Sequence, residues 1–440
     1  MKRFLIVPVF LLIFLGAVLP LCAQVDLKPE VIVSNQDIDE YRPAVAYNSV
    51  HHEYLVVFHD HSPIFSRSVM GKRLDEDGHV LDTFTVAYED TPPRDNAVPD
   101  VAYDAAHDQY LVVWTRDCFG DDSDWDVYGR IIPWDGPSAS KLPFIVCSYS
   151  SQQRNPRVAY ADTSAEFMVT WWNEGSGGTH SYISAQRVST SGTLLGSNFV
   201  VSSDANEERV APDIAYCKTW DQYLIVYQRM DDVLGNIYSV RLNGTGTIQG
   251  SGDVGIAAWP DAETAPRVSA SQGTFGEWMV VWQSDVSGMG KEVYGRAAWV
   301  GSGVDTEVGS VAYIAGTSID ESFPDIAADL QGDSRIFLVI WEQQYSNSSG
   351  YFGIHGRTLT DSGGIVLGAE QTIRPVYSGL TINSSMLAVA GAPSRWFVAW
   401  DQERSGTTTY LDIYGRAVFN GIFADGFESG SMSAWTSTSP

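Results

Sequence analysis

Hydrophobic residues in this chain form short continuous runs that recur at regular intervals. Each run ends in an aromatic residue, and the seven ends are Phe58, Trp114, Trp171, Tyr227, Trp282, Trp341 and Trp400. A strand that is apolar on both faces has to be buried on both faces, as it is when sheets stack against each other. No stretch of the mature chain has helical periodicity, so the pattern predicts an almost helix-free protein.

Each run belongs to a longer repeat that begins with a proline, and the repeats are spaced by 54 to 63 residues. The markers are Pro43, Pro99, Pro156, Pro212, Pro266 and Pro324, with Leu387 in the seventh place. A small residue stands in the middle of the first strand of each repeat, and a third strand ends in an arginine, as in the segment DVYGR at Asp126. Units of this size, with little space in the innermost strand, are typical of β-propeller blades.

The repeat therefore predicts an all-β fold, a seven-bladed β-propeller with four-stranded antiparallel blades. The last complete unit stops after its third strand near Phe419, whereas an additional strand, Glu30 to Ser34, precedes the first unit. Its sequence VIVS is similar to FVVS at Phe199, which is a fourth strand. We expect this N-terminal strand to complete the seventh blade and to remove an open sheet edge.

The chain divides into three segments. Residues 1–23 have a basic start, an apolar run and Ala23 at a plausible cleavage point, which is typical of a secretory signal peptide. Lipidation at Cys22 is the alternative, although the bulky Leu21 before it disfavours that processing. Residues 24–421 form the propeller, and residues 422–440 form a short C-terminal tail.

The repeat as a whole resembles the secreted bacterial seven-bladed propellers that are built of degenerate blades, and the resemblance covers nearly all of the mature chain. The tail from Phe423 resembles a short C-terminal segment of many secreted Gram-negative proteins. Both resemblances imply a protein exported by a Gram-negative bacterium to the periplasm or the exterior. The signatures of WD repeats, kelch repeats and sialidase Asp-boxes are missing from the sequence, so no family's functional residues are transferred.

The charge narrows the classes of partner. Removal of the signal peptide leaves 25 basic against 54 acidic residues, a net charge near −29, which repels phosphate backbones and anionic lipids. We expect no nucleic acid and no membrane insertion, a monomeric protein, and an extracellular glycan or protein as the partner. Three cysteines remain, Cys118, Cys147 and Cys217; the first two could form a disulfide, in which case Cys217 is a buried free thiol.

The loops that join strands two to three share one face with the loops that join strands four to one. The two-to-three loops are long and differ between blades, so we expect function on this face. The residue after the marker proline alternates in sign between consecutive blades and faces the channel mouth. Two readings stay open: a girdle of ion pairs between blades, or a polar ligand bound at the axis. The residues concerned are Asp100, Arg157, Asp213, Arg267 and Asp325.

The loop CFGDDSDWDVYG in blade two is a second candidate. Asp122, Asp124 and Asp126 alternate as in a calcium loop, but Val127 stands where such a loop needs glycine, and the glutamate at the twelfth place is missing. Calcium is therefore one hypothesis, and an acidic, solvated loop tip is the other; no other cofactor is expected. Trp125 in this loop is a further candidate ligand-binding residue.

For function, the sequence favours a non-catalytic binding propeller that recognises an extracellular glycan or protein through its loop-rich face. A carbohydrate-active hydrolase or lyase on the same scaffold is the alternative, and a structural or adhesive surface protein is the third. The sequence has no GxSxG elbow, whereas a carboxylate pair for glycosidic chemistry could arise among so many acids. An enzyme should concentrate buried carboxylates near the axis, a lectin should show aromatic pockets between several blades, and an adhesin should show a flat face.

Overall fold

The structure is a computed structural model. It describes residues 25–61, 67–88, 94–120, 123–175, 180–231, 234–301, 305–317, 319–345, 352–361, 363–376, 387–403 and 410–420. The predicted signal peptide and C-terminal tail lie outside these residues. The described chain begins with two short strands, β1 (Val25–Leu27) and β2 (Val31–Ser34), before the first blade.

Blades 1 to 4 are four-stranded antiparallel sheets whose strands follow one another in chain order. Blade 1 contains β3 (Asp39–Asn48), β4 (Glu53–His61), β5 (Val69–Leu74) and β6 (Val80–Ala87). Blade 2 contains β7 (Asn96–Asp104), β8 (Gln109–Asp117), β9 (Trp125–Pro133) and β10 (Phe144–Cys147). Blade 3 contains β11 (Gln153–Ala161), β12 (Glu166–Asn173), β13 (Tyr182–Ser189) and β14 (Leu194–Ser202). Blade 4 contains β15 (Glu208–Cys217), β16 (Gln222–Asp231), β17 (Leu234–Asn243) and β18 (Ile248–Ala257).

Blades 5 to 7 complete the ring. Blade 5 contains β19 (Ala262–Ala270), β20 (Trp278–Val286), β21 (Gly290–Val300) and β22 (Thr306–Ala315). In blade 6, β23 (Glu321–Ala328), β24 (Ile336–Gln344) and β25 (Phe352–Asp361) are followed by a fourth strand in two pieces, β26 (Ile365–Leu367) and β27 (Gln371–Arg374). Blade 7 contains β28 (Ala388–Ala392), β29 (Arg395–Glu403) and β30 (Leu411–Asn420). The predicted seven-bladed, all-β fold is confirmed, and the described residues contain no helix that could cross a membrane.

The N-terminal strands close the ring in the predicted way. Strand β2 pairs antiparallel with β30, and Val31 lies opposite Gly415. Strand β1 pairs further along the same strand, with Val25 opposite Asn420. The outer edge of blade 7 is therefore made by the start of the chain, and the edge of β30 is covered.

The core lies between the blades. Hydrophobic side chains of adjacent blades form one cluster at each of the seven junctions within the described residues. The second strands contribute most to these clusters; in blade 1, for example, Tyr54 to Phe58 are fully buried. This arrangement explains why their sequence is apolar at consecutive positions.

The innermost strands carry the predicted small residues at the axis, for example Ala46, Ala102 and Ser269, which line a central opening. Ahead of them, each first strand of blades 1 to 6 has an irregularity in its pairing with the second strand at the marker proline. The residue before that proline has a positive φ near 50° in all six blades. For Val98 this conformation is costly, because a β-branched side chain crowds the backbone there. The bulge turns the following side chain toward the channel.

Some third-strand arginines join neighbouring blades, and others connect strands of one blade. Arg130 donates to the carbonyl of Val86, and Arg296 donates to that of Ile256, in each case on the fourth strand of the preceding blade. Arg416 makes the same contact from blade 7. Other members pair with a glutamate of their own blade, as Arg73 does with Glu53. These contacts are structural ties, which explains one arginine per blade.

Candidate functional site

Five charged side chains of blades 2 to 6 surround the channel axis, and we call this ring the charged wheel; it consists of Asp100, Arg157, Asp213, Arg267 and Asp325. The bulge at each marker proline positions them, because they follow it directly. The five residues that the sequence pattern grouped together therefore lie around one axis in the structure.

The three aspartates of the wheel also connect the blades. Asp100 accepts a hydrogen bond from the backbone N–H of Val158 at 2.8 Å, in the next blade. The same contact recurs from Asp213 to Val268 and from Asp325 to the N–H of Val389. Each carboxylate thus uses one oxygen as a clamp on the neighbouring first strand and leaves the other oxygen directed at an arginine.

The arginines lie between the aspartates. One guanidinium, that of Arg157, is 3.7 Å from Asp100 and 3.8 Å from Asp213, and Arg267 is 3.8 Å from Asp325. Burial lowers the pKa of Arg157, but the two flanking carboxylates offset this and the net direction is upward. Burial raises the pKa of Asp325 to about 6, although Arg267 opposes the shift.

The wheel encloses a cavity of about 140 Å³, which we call the chamber. Blades 1 and 7 place alanine where the other blades place a charge, so Ala44 and Ala388 form the remaining arc of the wall. We call this part the alanine arc. Around the chamber, three carboxylates face two guanidinium groups.

Two acidic residues that the sequence reasoning missed lie nearer to the loop-rich face. Glu342 and Asp401 each follow the aromatic end of the second strand, in blades 6 and 7, and both are buried. Within the part of the chain that the structure describes, neither oxygen of Glu342 has a hydrogen-bond partner, and one oxygen of Asp401 has none. Burial raises the pKa of Asp401 to about 7, and burial together with the charge of Asp401 raises that of Glu342 well above its ordinary value. We call these two residues the acid pair.

The equivalent position in blade 5 shows what an uncharged side chain does there. Gln283 accepts a hydrogen bond from the N–H of Phe323 at 2.8 Å and donates to Thr264, so it is satisfied between two blades. Blades 6 and 7 have a carboxyl side chain, Glu342 or Asp401, at the position that the amide of Gln283 occupies in blade 5. Two acids at equivalent positions of adjacent repeats are the signal that could have revealed the site in the sequence.

A groove of about 520 Å³ opens on the loop-rich face between blades 5 and 6. Its lining is the turn between β20 and β21, the connection from β22 to β23, and the end of β24, and includes Met289, Thr317, Asp320 and Gln344. No lysine or arginine side chain lines it within the described residues. Lys291 begins beside it, where its N–H donates to Asp320, and its charge acts on Glu342. The groove and the acid pair are thus neighbours.

On the face opposite the loop-rich face, the channel opens into a space of about 460 Å³, larger than the chamber. We call this opening the tyrosine funnel. Four tyrosines from blades 1 to 4 line one side of it, and small residues such as Ser269, Ala327 and Gly391 line the other. The tyrosines are Tyr47, Tyr103, Tyr160 and Tyr216. Each packs in a tilted orientation against the first aromatic residue of its second strand, with ring centroids 4.9 to 5.2 Å apart.

Hydrogen bonds to acidic side chains hold two of these rings in place, those of Tyr103 and Tyr216. The hydroxyl of Tyr103 donates to Asp108 at 2.8 Å, and that of Tyr216 donates to Asp221 at 2.7 Å. The acceptors lie in the turns between first and second strands. The aromatic side of the funnel is therefore preorganised.

The blade 2 loop contains the remaining candidate residues. Trp125 is buried, with the guanidinium of Arg154 5.5 Å from its ring, so it contributes to packing, and its assignment as a ligand-binding residue stays a prediction. Asp126 is also buried and accepts a hydrogen bond from the thiol of Cys118 at 2.9 Å. Among the described residues, no three acidic, histidine or cysteine side chains gather as metal ligands. Asp122 lies outside those residues, so the calcium site with Asp124 and Asp126 stays a prediction.

The three cysteines of the described chain are free thiols. The disulfide between Cys118 and Cys147, which the sequence left open, is not formed. Burial raises the pKa of each of these two thiols to about 12, with Asp126 adding to the shift at Cys118. Cys217 is also a buried free thiol.

Comparison with known proteins places the fold but no family. No protein family model and no curated protein matches the chain. Among solved structures, a protein of unknown function from Dyadobacter fermentans is similar with a TM-score of 0.50 at 10% identity, over 88% of this chain and 100% of that one. An α-L-arabinanase from Penicillium chrysogenum, complexed with arabinobiose, has a TM-score of 0.48 at 11% identity, over 72% of this chain and 94% of that one.

An α-L-arabinofuranosidase from Fusarium graminearum, in complex with an iminosugar inhibitor, has a TM-score of 0.46 at 10% identity, over 76% of this chain and 98% of that one. At sequence identities of 10 to 11%, similarity to these structures concerns the fold alone. The activities of these enzymes are not transferred to this chain, because a propeller scaffold supports unrelated functions.

Proposed function

We propose that this protein is a secreted binding propeller that recognises a neutral, hydroxyl-rich glycan in the groove between blades 5 and 6. The observation that carries the proposal is the groove itself: an open volume of about 520 Å³ on the face where variable loops cluster. Long loops on a rigid ring are the usual location of binding residues.

The chemistry of the lining favours a glycan. Thr317, Asp320 and Gln344 offer hydroxyl, carboxylate and amide groups, and Met289, which is half exposed, offers an apolar surface. Tyr313 is also exposed beside Gly316, where a side chain in place of the glycine would overlap its hydroxyl. Convergent polar groups next to apolar surface suit a sugar ring, which has polar edges and apolar faces.

Charge supports the same class. The whole chain has a net charge of −27, and the lining of the groove within the described residues has a carboxylate and no cationic side chain. An anionic ligand would be repelled by this surface. The hydroxyl groups of a neutral glycan can donate charge-assisted hydrogen bonds to this carboxylate.

The test is a binding screen of the mature protein against neutral arabino-, xylo-, gluco- and manno-oligosaccharides, followed by calorimetric titration of the oligosaccharide that binds. We expect Gln344→Ala to weaken binding about tenfold, because the loss of one hydrogen bond to a ligand costs on the order of 1.4 kcal/mol. Gln331→Ala is the matched control, since Gln331 lies in the same blade on the opposite face. Equal affinities for the two variants, or no binding by any of the neutral oligosaccharides, would contradict the proposal.

A second candidate function is glycoside hydrolysis or lysis, and the acid pair is the observation that favours it. Two carboxyl groups on adjacent blades with upward-shifted pKa values are the kind of acid from which glycosidases draw a proton donor. Release of new sugar ends from the oligosaccharide that binds is the assay. Turnover that is lost in Asp401→Asn while binding persists would make the protein an enzyme; no turnover by the wild type leaves it a binding protein.

A further inference from the structure

Three partly exposed aromatic side chains lie next to one another at blade 5 on the loop-rich face, and we call them the aromatic shelf; they are Trp259, Tyr294 and Tyr313. Tyr294 lies in the middle. Its ring centroid is 5.1 Å from that of Trp259, at an interplanar angle of 77°, and 5.3 Å from that of Tyr313, at 66°. Tyr313 is the most exposed of the three, at 45%.

Other blades cover the equivalent tyrosine with an arginine, and blade 5 does not. In blades 2 and 4 the guanidinium lies 4.7 and 4.1 Å from the ring centroid. The pairs are Arg116 with Tyr128 and Arg229 with Tyr238. Both arginines stand two positions after the aromatic end of the second strand, where blade 5 has Ser284. Within the described residues no lysine or arginine lies over a ring of the shelf, so its surface stays accessible.

The fourth strand of blade 5 contributes a ring that the packing of a blade does not require. Tyr313 lies opposite Tyr294 in the register of β21 and β22. The residues opposite the equivalent tyrosines of blades 2 and 4 are Ile145 and Gly255. Since glycine is sufficient at this position, the fold does not explain an aromatic side chain there. A half-exposed tyrosine with no packing role is typical of a binding surface.

A buried carboxylate orients two rings of the shelf. Glu292 is 2% exposed, and it accepts hydrogen bonds from the hydroxyl of Tyr294 at 2.7 Å and from that of Tyr313 at 3.1 Å, one on each oxygen. Burial, together with the bond to Glu292, raises the pKa of Tyr313 to about 12, so its hydroxyl stays a donor at neutral pH. Because these rings are held in place, a ligand that binds them loses little side-chain entropy.

The shelf adjoins the groove between blades 5 and 6 at Gly316. This glycine lines the groove, and a β-carbon added to it would overlap the hydroxyl of Tyr313. Thr317, the next residue of the groove lining, donates to Glu321, whose charge acts on Tyr313. The groove and the shelf therefore form one continuous surface, and only a backbone without a side chain lies between them.

The chemistry of this surface suits a sugar ring. The apolar face of a sugar packs against an aromatic ring, while its hydroxyl groups need polar partners. The groove next to the shelf supplies such partners in Thr317, Asp320 and Gln344. Uncovered aromatic rings also attract organic cations, but each oxygen of Glu292 already accepts a bond from a tyrosine hydroxyl. A neutral sugar is therefore favoured over a cation.

We propose that the aromatic shelf is a second sugar-binding subsite, and that the ligand is a linear neutral oligosaccharide that extends from the groove across Gly316 and stacks a further ring on Tyr313. This inference rests on the proposed function, because the groove binds the other part of the same chain. The shelf makes the affinity depend on the length of the oligosaccharide.

The experiment measures, by calorimetry, the affinity of the mature protein for chains of two to six sugar units from the arabino-, xylo-, gluco- and manno-oligosaccharide series. We expect the affinity to rise with chain length until the shelf is occupied. Tyr313→Ala should weaken the binding of the six-unit chain about tenfold and that of the two-unit chain less than about twofold. Tyr313→Phe keeps the ring and should stay within about threefold of the wild type for every chain.

Tyr149→Ala is the matched control, since Tyr149 is 50% exposed on the same face, in the connection between blades 2 and 3. It should leave the affinity for every chain unchanged. An affinity for the six-unit chain that Tyr313→Ala does not alter overturns the shelf and leaves the groove proposal intact, and so does an equal loss for short and long chains. If the wild type binds no chain of any length, both proposals fail.

Choline chloride is titrated separately, because it probes the aromatic rings for an organic cation. We expect no saturable binding. Saturable binding of choline that Tyr313→Ala abolishes would assign the shelf to organic cations and overturn the proposal.

Discussion

The closure of the ring by the N-terminal strand can be tested at one residue of β2. Val33 is 2% exposed and packs in the hydrophobic cluster between blades 7 and 1. Val33→Ala removes two buried carbons, worth about 1.6 kcal/mol at about 0.8 kcal/mol each. The cavity that remains raises the expected loss in free energy of unfolding to about 2 to 3 kcal/mol.

Two further variants give the comparison its meaning. Ile32, the preceding residue, points outward and is 53% exposed, so Ile32→Ala should cost less than about 1 kcal/mol. Val201 holds the equivalent position in β14 of blade 3 and is 5% exposed. If β2 truly is the fourth strand of blade 7, Val33→Ala and Val201→Ala should destabilise the protein equally.

The assay is equilibrium unfolding in urea, monitored by tryptophan fluorescence and by circular dichroism on the same samples. Agreement of the two signals indicates that one transition is measured. A cost for Val33→Ala no greater than that for Ile32→Ala would refute the closure, because the strand would then contribute nothing to the junction.

Three further predictions concern packing, charge and the thiols. Gly391→Ala should lower the free energy of unfolding by at least about 2 kcal/mol, because its new methyl group would overlap the carbonyl of Ala328. Gly364→Ala, with open space around it, should be nearly neutral in the same urea unfolding measurement. Burial raises the pKa of Glu263 to about 7, above its ordinary value, so the stability that this residue contributes is full at pH 4 and is lost as the pH rises through 7. The wild type should therefore lose more stability between pH 5 and 8 than Glu263→Gln does, and parallel pH curves for the two proteins would show that the carboxyl is not shifted. Burial and Asp126 raise the pKa of Cys118 to about 12, so Cys118 and Cys147 should react slowly with iodoacetamide at pH 8 in the folded protein and fully after unfolding; a mass 2 Da lower than that of the reduced chain would instead reveal a disulfide.

The architecture could be predicted from sequence because a propeller repeats one set of local constraints. A small residue at the axis, an apolar second strand and an arginine at the end of the third recur with the blade length, and each has a meaning inside a single blade. The closure of the ring could also be predicted, because the chain starts with an additional fourth strand and its last blade lacks a fourth strand. The alternating charges were recognised for the same reason: they occupy one position of the repeat.

The tertiary structure alone decided what those positions do together. Glu342 and Asp401 are ordinary acids in sequence, and they become a buried pair only because blades 6 and 7 are neighbours. Trp125 stands in an acidic loop segment of the sequence, yet its side chain is buried beneath the guanidinium of Arg154. The chamber arises because five blades bring a charge and two bring an alanine to one axis. Contacts of this kind join residues a whole blade or more apart, so the local pattern of the chain determines the blade, and only the closing of the circle determines which side chains meet.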